Sequence, residues 1–315
     1  MLKLIIAAAI GTVFITFLRM IIARRIEHVG IDVHKSHRPK VPESGGLSLR
    51  LITSLFSFYL AYTRKDETLL FLSIPIFLLG IIGLIDDFVE LRPKAKFLAT
   101  LLAGIPGAFS GLSILYLPRC KTSVASLYKL GIPVGYSVYA NAVNMIDSVN
   151  TVAVFGTSLI LSIQAIFLKL LGYERAFRLD ILFLAILLSY LPFNLYPAHV
   201  FNGDVGDMTM GAMILTVALY SHLELVALIL SIPILTNGMI FLLSYGLKTR
   251  KEFSNPTRFV EGKIVANEDP NAPRTLVWSL ASLSKGLTEK DLIKLYAFFY
   301  IISALLASML LVMYV

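Results

Sequence analysis

The chain has 315 residues, of which 57% are hydrophobic and only 15% are charged. One water-soluble core cannot bury so large an apolar excess, so the composition excludes a disordered chain, a fibrous repeat and a small secreted scaffold, and it indicates a membrane protein with several spans. The 28 lysines and arginines against 20 acidic residues give a net charge of +8, which basic cytoplasmic loops explain without a nucleic-acid partner.

Apolar segments of helical length recur along the chain, and they predict an all-α, polytopic membrane protein with about ten transmembrane helices. The segments lie at about 2–22, 46–62, 68–85, 96–115, 133–147, 151–170, 178–196, 207–220, 223–246 and 292–315. The first is longer than the core of a signal peptide, and its stronger positive flank, Arg24-Arg25, follows it. We therefore expect a retained helix whose N-terminus lies outside the cell. Residues 1–315 then form a single membrane-embedded domain.

A long cytoplasmic loop is expected at about 247–291, because this segment is polar and rich in lysine and arginine. Within it, apolar residues recur at helical spacing from Leu276 to Leu283 and predict a short amphipathic helix on the membrane surface. Thr288 and Asp291 are spaced as in a capping box, which predicts that the last helix begins there.

Four polar sequences fall on the cytoplasmic face if the helices alternate in direction from the first one. They are Asp86-Asp87, 141–150, 197–206 and 247–291. Random placement would scatter them over both faces. We therefore predict one shared active site that faces the cytoplasm.

Two adjacent carboxylates, Asp86 and Asp87, follow the third apolar segment directly. The C-terminal end of a helix carries partial negative charge, which makes it an unfavourable place for acids. Arg92, Lys94 and Lys96 follow at once, so opposite charges are concentrated at the membrane surface. Because ionisable groups at the edge of a span are costly when they face inward, we favour a functional role. A solvated helix end is the alternative.

Asn141, Asn144 and Asp147 are spaced by three residues, and Asn150 follows. At this spacing the side chains lie along one side of a helix, where amide and carboxylate oxygens can bind a hard cation. The alternative is a polar stripe that joins helices through hydrogen bonds. Four polar groups in so short a segment exceed that need, and unpaired buried amides are costly, so we favour function.

Glycines at 203 and 206 flank Asp204, so the backbone can approach a ligand closely there. Mg²⁺ prefers oxygen ligands, commonly one or two carboxylates with phosphate and water. Asp204 together with an oxygen from the preceding polar run therefore predicts a magnesium site. Asp207 has a simpler explanation as the cap of the next helix, and an isolated His199 is more typical of a structural residue.

Arg258 follows the turn Asn255-Pro256-Thr257 in the long loop, an arrangement that suits bidentate capture of phosphate, although a loop arginine is commonly just solvated. Acidic ligands and basic phosphate contacts together predict metal-assisted phosphoryl transfer between a water-soluble and a lipid-borne partner. The alternative is a secondary transporter or channel that uses the acidic residues at the cytoplasmic face. Transporters, however, usually hold such residues near the membrane midplane.

The ordered motifs resemble those of the polyprenyl-phosphate N-acetylhexosamine-1-phosphate transferases. They are Asp86-Asp87 with Lys96, Asn141-x-x-Asn144-x-x-Asp147 and Phe201-Asn-Gly-Asp204, and the resemblance runs from Lys40 to the last helix. The segments 42–46, 196–204 and 255–264 are similar to the branch that joins UDP-GlcNAc to dolichyl phosphate, whereas the His-rich motif of the bacterial cell-wall branch is missing from the long loop. Asp147 stands where eukaryotic members have Glu, so the mixed pattern resembles an archaeal-type enzyme.

This resemblance implies transfer of an N-acetylhexosamine 1-phosphate, by default GlcNAc 1-phosphate, from a UDP-sugar to a polyprenyl or dolichyl phosphate in the membrane. UMP would be released, and the reaction would be the first committed step of lipid-linked glycan assembly, as in protein glycosylation. The implied cofactor is Mg²⁺, with Mn²⁺ as a substitute. A uronic acid or another N-acetylhexosamine is left open as the sugar, and a homodimer is left open as the assembly.

The resemblance also implies roles for individual residues. Asn144 and Asp204 match the metal ligands, Lys96 and Arg258 match diphosphate contacts, and Asn150 with the Gly45–Leu47 turn matches the uridine contacts. The aspartate pair would act either as a base toward the lipid phosphate or as an organiser of lysine and metal. The predicted catalytic residues are Asp86, Asp87, Lys96 and Asp147. The predicted substrate-binding residues are Gly45, Leu47, Asn141, Asn150, His199 and Arg258.

Overall fold

Helices make up most of the structure, a computed structural model that describes residues 1–117, 120–123, 125–246 and 254–314. The helices are α1 Leu2–Arg25, α2 Leu47–Arg64, α3 Glu67–Val89, α4 Pro93–Gly104, α5 Ala125–Ile146, α6 Val152–Leu170, α7 Glu174–Asn194, α8 Gly203–Ser221, α9 Glu224–Leu230, α10 Ile232–Tyr245, α11 Leu276–Ser284 and α12 Glu289–Tyr314. Three antiparallel hairpins lie between them: β1 Val29–Ile31 with β2 Lys40–Pro42, β3 Ile114–Leu117 with β4 Cys120–Ser123, and β5 Thr257–Val260 with β6 Lys263–Ala266.

A helix lies at each of the ten apolar segments. Within the described ranges, five helices are long and apolar enough to cross a membrane alone, namely α1, α3, α6, α7 and α12, and the bent pair α9–α10 would be a sixth. On α1 the side chains of Ile10, Phe14 and Phe17 are exposed, as expected for a surface that faces lipid. The chain is thus built as an integral membrane protein, while the number of ten spans and the orientation stay predictions.

Two of the predicted segments are interrupted where proline or glycine occurs. The segment 223–246 is divided into α9 and α10, which meet at an angle of 70°; Pro233, near the start of α10, cannot continue the hydrogen-bond ladder of the helix before it. The segment 96–115 ends early, because α4 passes into a 3₁₀ helix at Ile105–Phe109, whose sequence includes Pro106 and Gly107. The chain then turns into β3.

Helix α8 forms the centre of the core. Every residue from Val205 to Leu219 is buried, and α3 and α5 pack against it. The approach of α3 is close: a Cβ atom on Gly83 would lie 2.4 Å from the Asp204 carbonyl oxygen, so glycine is required at this crossing. This contact places the C-terminal end of α3 against the first turn of α8.

The long loop carries the β5–β6 hairpin and α11, and its residues 247–253 lie outside the described residues. Helix α11 confirms the predicted helical segment, and the prediction that the last helix is capped near residue 288 is confirmed. There the Thr288 N–H donates to Asp291 Oδ2 at 3.2 Å, and the Asp291 N–H donates to Thr288 Oγ1 at 3.2 Å. These reciprocal bonds fix the start of α12.

Candidate active site

The carboxylate of Asp87 ties the end of α3 to the start of α8. Its Oδ1 accepts a hydrogen bond from the Asp204 N–H at 2.6 Å, and the N–H of Val205 also contacts this carboxylate. The backbone carbonyl of Asp87 is in turn 3.2 Å from His28 Nε2. Asp87 therefore belongs to the framework that positions Asp204.

Lys96, in the first turn of α4, bridges two carboxylates. Its Nζ lies 2.7 Å from Asp86 Oδ2 and also contacts the carboxylate of Asp204. The three side chains are partly buried, with 15%, 11% and 25% of Lys96, Asp86 and Asp204 exposed, so water screens their charges less than at an open surface. Because the Leu91 N–H donates to Asp86 Oδ1 at 2.5 Å, the turn between α3 and α4 is held in the same cluster.

The segment 42–46 lies along the start of α8. The Gly45 N–H donates to the Phe201 carbonyl at 2.8 Å, and the Gly46 N–H donates to the Asn202 carbonyl at 2.9 Å. A Cβ atom on Gly46 would lie only 2.1 Å from the Cα of Gly206, so the two backbones can touch because both residues are glycine. This contact explains why the Pro-Glu-Ser-Gly-Gly sequence and the glycines beside Asp204 occur together.

The end of α5 joins the cluster through Asp147. This half-buried side chain lies against Asn202 and Asp207, and burial raises its pKa to about 7 despite the hydrogen bonds from those neighbours. The interpretation of Asp207 as a helix cap is wrong, because α8 already begins at Gly203 and Asp207 instead accepts a hydrogen bond from Asn202 at 3.2 Å. Asn144 is half-buried, one turn before Asp147.

Two cavities lie on either side of the end of β2. The smaller, of about 410 Å³, is lined by Glu43, Asp86, Asp87, Phe88, Glu90, Phe201, Gly203 and Asp204. The larger, of about 690 Å³, has a lining that includes Asp32, Lys35, Pro42, Tyr196, His199 and Glu289. Because Pro42 lines one and Glu43 the other, the two cavities are neighbours.

The smaller cavity has the donor set of a divalent cation site. Five carboxylates line it, those of Glu43, Asp86, Asp87, Glu90 and Asp204, and the Lys96 ammonium contacts only two of them. Such an excess of hard, negatively charged oxygens fits Mg²⁺ or Mn²⁺. Asp204, at the start of α8, could bind the ion in this cavity, whereas Asn144, near the end of α5, is not among the residues that line it, so its predicted role as a ligand stays a prediction.

The other predicted site residues have varied surroundings. The Asn141 side-chain NH₂ donates to Thr100 Oγ1 at 3.0 Å and to the Ser137 carbonyl at 2.8 Å, which ties α5 to α4. Leu47 is half-buried as the first residue of α2, and Arg258 is exposed on β5 and lines neither cavity. His199 lines the larger cavity, and the side-chain NH₂ of Asn150 donates to Asp32, another residue of that lining, at 2.9 Å. The roles assigned to these residues stay predictions.

Sequence reasoning missed Arg19 and His28. Arg19 hydrogen-bonds to His28, and His28 contacts the backbone of the aspartate pair at Asp87. Arg19 donates to His28 Nδ1 at 2.8 Å; because arginine can only donate, the remaining His28 N–H, on Nε2, is left to donate to the Asp87 carbonyl. A charged residue inside the first apolar helix was the signal, since such residues seldom lie in a span without a partner. Glu43, Asp32, Lys35 and Glu289 were missed as well.

Comparison with known proteins gives relatives for most of the chain. The profile of glycosyl transferase family 4 matches residues 69–222. A Methanocaldococcus jannaschii protein, provisionally named a glycosyltransferase, is 31% identical over 75% of this chain and 73% of its own length. A Saccharolobus solfataricus protein, provisionally named a UDP-N-acetylglucosamine–dolichyl-phosphate N-acetylglucosaminephosphotransferase, is 23% identical over 91% of this chain and 90% of its own. A Clostridium botulinum phospho-N-acetylmuramoyl-pentapeptide-transferase is 28% identical over 70% and 72%.

Proposed function

The chain belongs to glycosyl transferase family 4, the polyprenyl-phosphate sugar-1-phosphate transferases, and from this premise we propose a specific reaction. The protein transfers N-acetylglucosamine 1-phosphate from UDP-N-acetylglucosamine to a polyprenyl phosphate of the dolichyl type and releases UMP. The similarity over nearly the whole length to the Saccharolobus solfataricus protein supports this donor and acceptor. The family also favours a transferase over the transporter considered from the sequence.

The observation that carries the proposal is the position of Lys96. Its ammonium joins Asp86 from the end of α3 to Asp204 from the start of α8, beside a cavity lined with carboxylates. A cation held in this way, next to a site that fits a divalent metal, suits a diphosphate whose charge must be neutralised during transfer. A water-filled ion path would not need the lysine.

Transfer forms one bond and breaks one. An oxygen of the lipid phosphate bonds to the β-phosphorus of the UDP-sugar, and the bond from that phosphorus to the bridging oxygen breaks, so that UMP leaves with the bridging oxygen. The lipid phosphate is already anionic at neutral pH, so no strong base is required, and orientation with charge stabilisation provides the acceleration. Asp204, with Asn144 as the resemblance implies, would hold Mg²⁺, which would supply further neutralisation of the diphosphate.

Each side chain then has a definite task. Lys96 contacts the diphosphate, and Asp86 holds Lys96 in place. Asp87 acts as the organiser rather than the base, because its carboxylate is engaged by the first N–H groups of α8. It thereby fixes the direction in which Asp204 faces the cavity.

Release of UMP tests the proposal. Purified protein is incubated with polyprenyl phosphate, Mg²⁺ and a panel of UDP-sugars that includes UDP-GlcNAc, other UDP-N-acetylhexosamines and UDP-uronic acids. We expect UMP only when lipid, metal and UDP-GlcNAc are all present. Absence of UMP with every donor would contradict the proposal, and uptake of sugar or ions into proteoliposomes without UMP would favour a transporter. Replacing Mg²⁺ with Mn²⁺ tests the substitute metal.

A further inference from the structure

The larger cavity contains three side chains of the kind that bind metal ions, and the proposed reaction uses none of them. They are Asp32 and His34, in the connection between β1 and β2, and Glu289, the first residue of α12. One ligand atom from each lies within 4.8 Å of the other two. An ion bound at about 2.1 Å holds two ligands at most about 4.2 Å apart, so a shift of about 1 Å between the side chains would let all three share one ion.

Glu289 is the member of this group that lacks a hydrogen-bond partner. It is 5% exposed, and its carboxylate lies 3.5 Å from Lys35 Nζ and close to the backbone N–H of Asn150. Neither contact has the geometry of a hydrogen bond, so both carboxylate oxygens are without a donor among the described residues. A buried carboxylate in this condition is costly, and a bound cation would remove the cost.

Lys35 marks the place where a cation belongs. Its ammonium contacts Asp32 and is the nearest described positive charge to Glu289, so one positive charge faces two buried carboxylates. A divalent ion would balance both of them. Lys35 has another place to go, because its Nζ also lies 4.9 Å from the ring centre of Tyr196, and that ring lines the open cavity.

The imidazole of His34 determines which metal suits the group. The His34 backbone N–H donates to Asp32 Oδ1 at 3.2 Å, which keeps the two residues together. Burial lowers the pKa of the His34 ring, so the neutral ring offers a nitrogen lone pair at pH 7. One imidazole with two carboxylates suits Zn²⁺ and other divalent transition metals, whereas Mg²⁺ prefers oxygen ligands throughout. The group therefore differs in kind from the carboxylate lining of the smaller cavity.

We propose that Asp32, His34 and Glu289 form a second metal site, which binds a divalent transition-metal ion of the Zn²⁺ class in place of the Lys35 ammonium. Water from the cavity completes the coordination. The ion joins the connection after β1 to the start of α12, which lie near opposite ends of the chain. Because β2 leads from this connection to Glu43 in the smaller cavity, the ion stabilises a wall of the candidate active site without taking part in transfer.

Zinc binding by the whole chain tests the proposal. Untagged protein in detergent is freed of metal with a chelator, and bound Zn²⁺ is measured by equilibrium dialysis with excess Mg²⁺ present to fill the smaller cavity. We expect about one Zn²⁺ per chain, as for one site with three protein ligands. His34→Ala leaves the contacts of Lys35 in place and should weaken binding by at least about 100-fold, since loss of even an outer-shell partner costs about 10–100-fold. His37→Ala removes an exposed histidine from the same cavity and should bind zinc as the wild type does.

Lys35→Met tests the exchange of cations. Without the competing ammonium, zinc binding should tighten about tenfold, the equivalent of one charge-assisted hydrogen bond that no longer has to break. Thermal unfolding in detergent reports the fold of each variant, and Zn²⁺ should raise the unfolding temperature of the wild type and of His37→Ala but not of His34→Ala.

Several results would overturn the proposal. They are no bound zinc, zinc that Mg²⁺ displaces, and zinc retained equally by a folded His34→Ala, which would mark adventitious binding at the surface. Unchanged or weaker binding by a folded Lys35→Met would also overturn it, and if that variant does not fold, the comparison of His34→Ala with His37→Ala decides. None of these measurements uses UMP release, so this proposal and the proposed function fail separately.

Discussion

The contact between Gly46 and Gly206 can be tested with a single methyl group. In Gly46→Ala the new Cβ would lie 2.1 Å from Gly206 Cα and 2.6 Å from Gly206 N, whereas ordinary contacts begin at 3.4 Å. The atoms in its way belong to the backbone of a buried helix, which cannot rotate aside. The segment 42–46 must therefore move away from α8 by about 1.3 Å, the difference between 3.4 and 2.1 Å.

That displacement has a cost that the structure lets us work out. The Gly46 N–H to Asn202 carbonyl hydrogen bond is 2.9 Å and would open beyond hydrogen-bonding distance, and the neighbouring bond from Gly45 to Phe201 would weaken. Two backbone hydrogen bonds at about 1 kcal/mol each, with about 1–3 kcal/mol for overpacking, give a loss of roughly 3–5 kcal/mol in the free energy of unfolding or in docking of this segment.

Thermal unfolding in detergent measures a loss of stability, and UMP release measures a loss of activity that follows when the segment 42–46 no longer docks on α8. We expect Gly46→Ala to lower the unfolding temperature, the activity or both, each well outside experimental error. Gly131→Ala is the matched control: Gly131 lies in α5, is exposed and has no atom within 4 Å of its added Cβ, so alanine should stabilise the helix by about 0.5–1 kcal/mol. A Gly46→Ala protein as stable and active as Gly131→Ala would refute the close contact.

Three further substitutions test the candidate site. Lys96→Met removes the ammonium shared by Asp86 and Asp204, and kcat should fall about 10²–10³-fold in a folded protein; a near-normal kcat would remove Lys96 from the mechanism. Asp204→Asn should abolish the stimulation of UMP release by Mg²⁺, and unchanged stimulation would show that the metal lies elsewhere. Asp147 keeps its proton up to a pKa of about 7 in the fold against 3.8 ordinarily, so its contribution to stability is present below pH 4 and is lost as pH rises through 7. Asp147→Asn should therefore flatten the fall in unfolding temperature between pH 5 and 8, and an identical slope would contradict the assigned pKa.

The helix positions could be read from the sequence because apolar composition and length are local properties. Polar residues at the helix ends were also local signals, and the structure brings Asp86, Lys96 and Asp204 together. The bend between α9 and α10 needed more than hydropathy, since the residues on both sides of it are apolar and only Pro233 indicates a break.

Contacts between the two ends of the chain could not be predicted in this way. Asp32, Lys35, Asn150 and Glu289 meet through two loops and a helix start, and no spacing rule joins residues so far apart. Asp32 and Lys35 lie in a polar connection and Glu289 at the surface end of an apolar helix, positions that are usually solvated. Burial of these side chains, which only the fold produces, is what distinguishes them.

The aspartate pair shows how a local rule fails for a structural reason. Asp86 and Asp87 end α3, where the helix dipole disfavours negative charge. The same end of α3 lies against the first turn of α8, whose unpaired N–H groups and dipole favour negative charge, and Asp87 accepts from the Asp204 N–H there. The positive charge of Lys96 offsets the negative charge of Asp86. The cost at one helix end is therefore offset by the start of another, and the arrangement that makes both aspartates tolerable also turns Asp204 toward the cavity where a phosphate and a metal would meet.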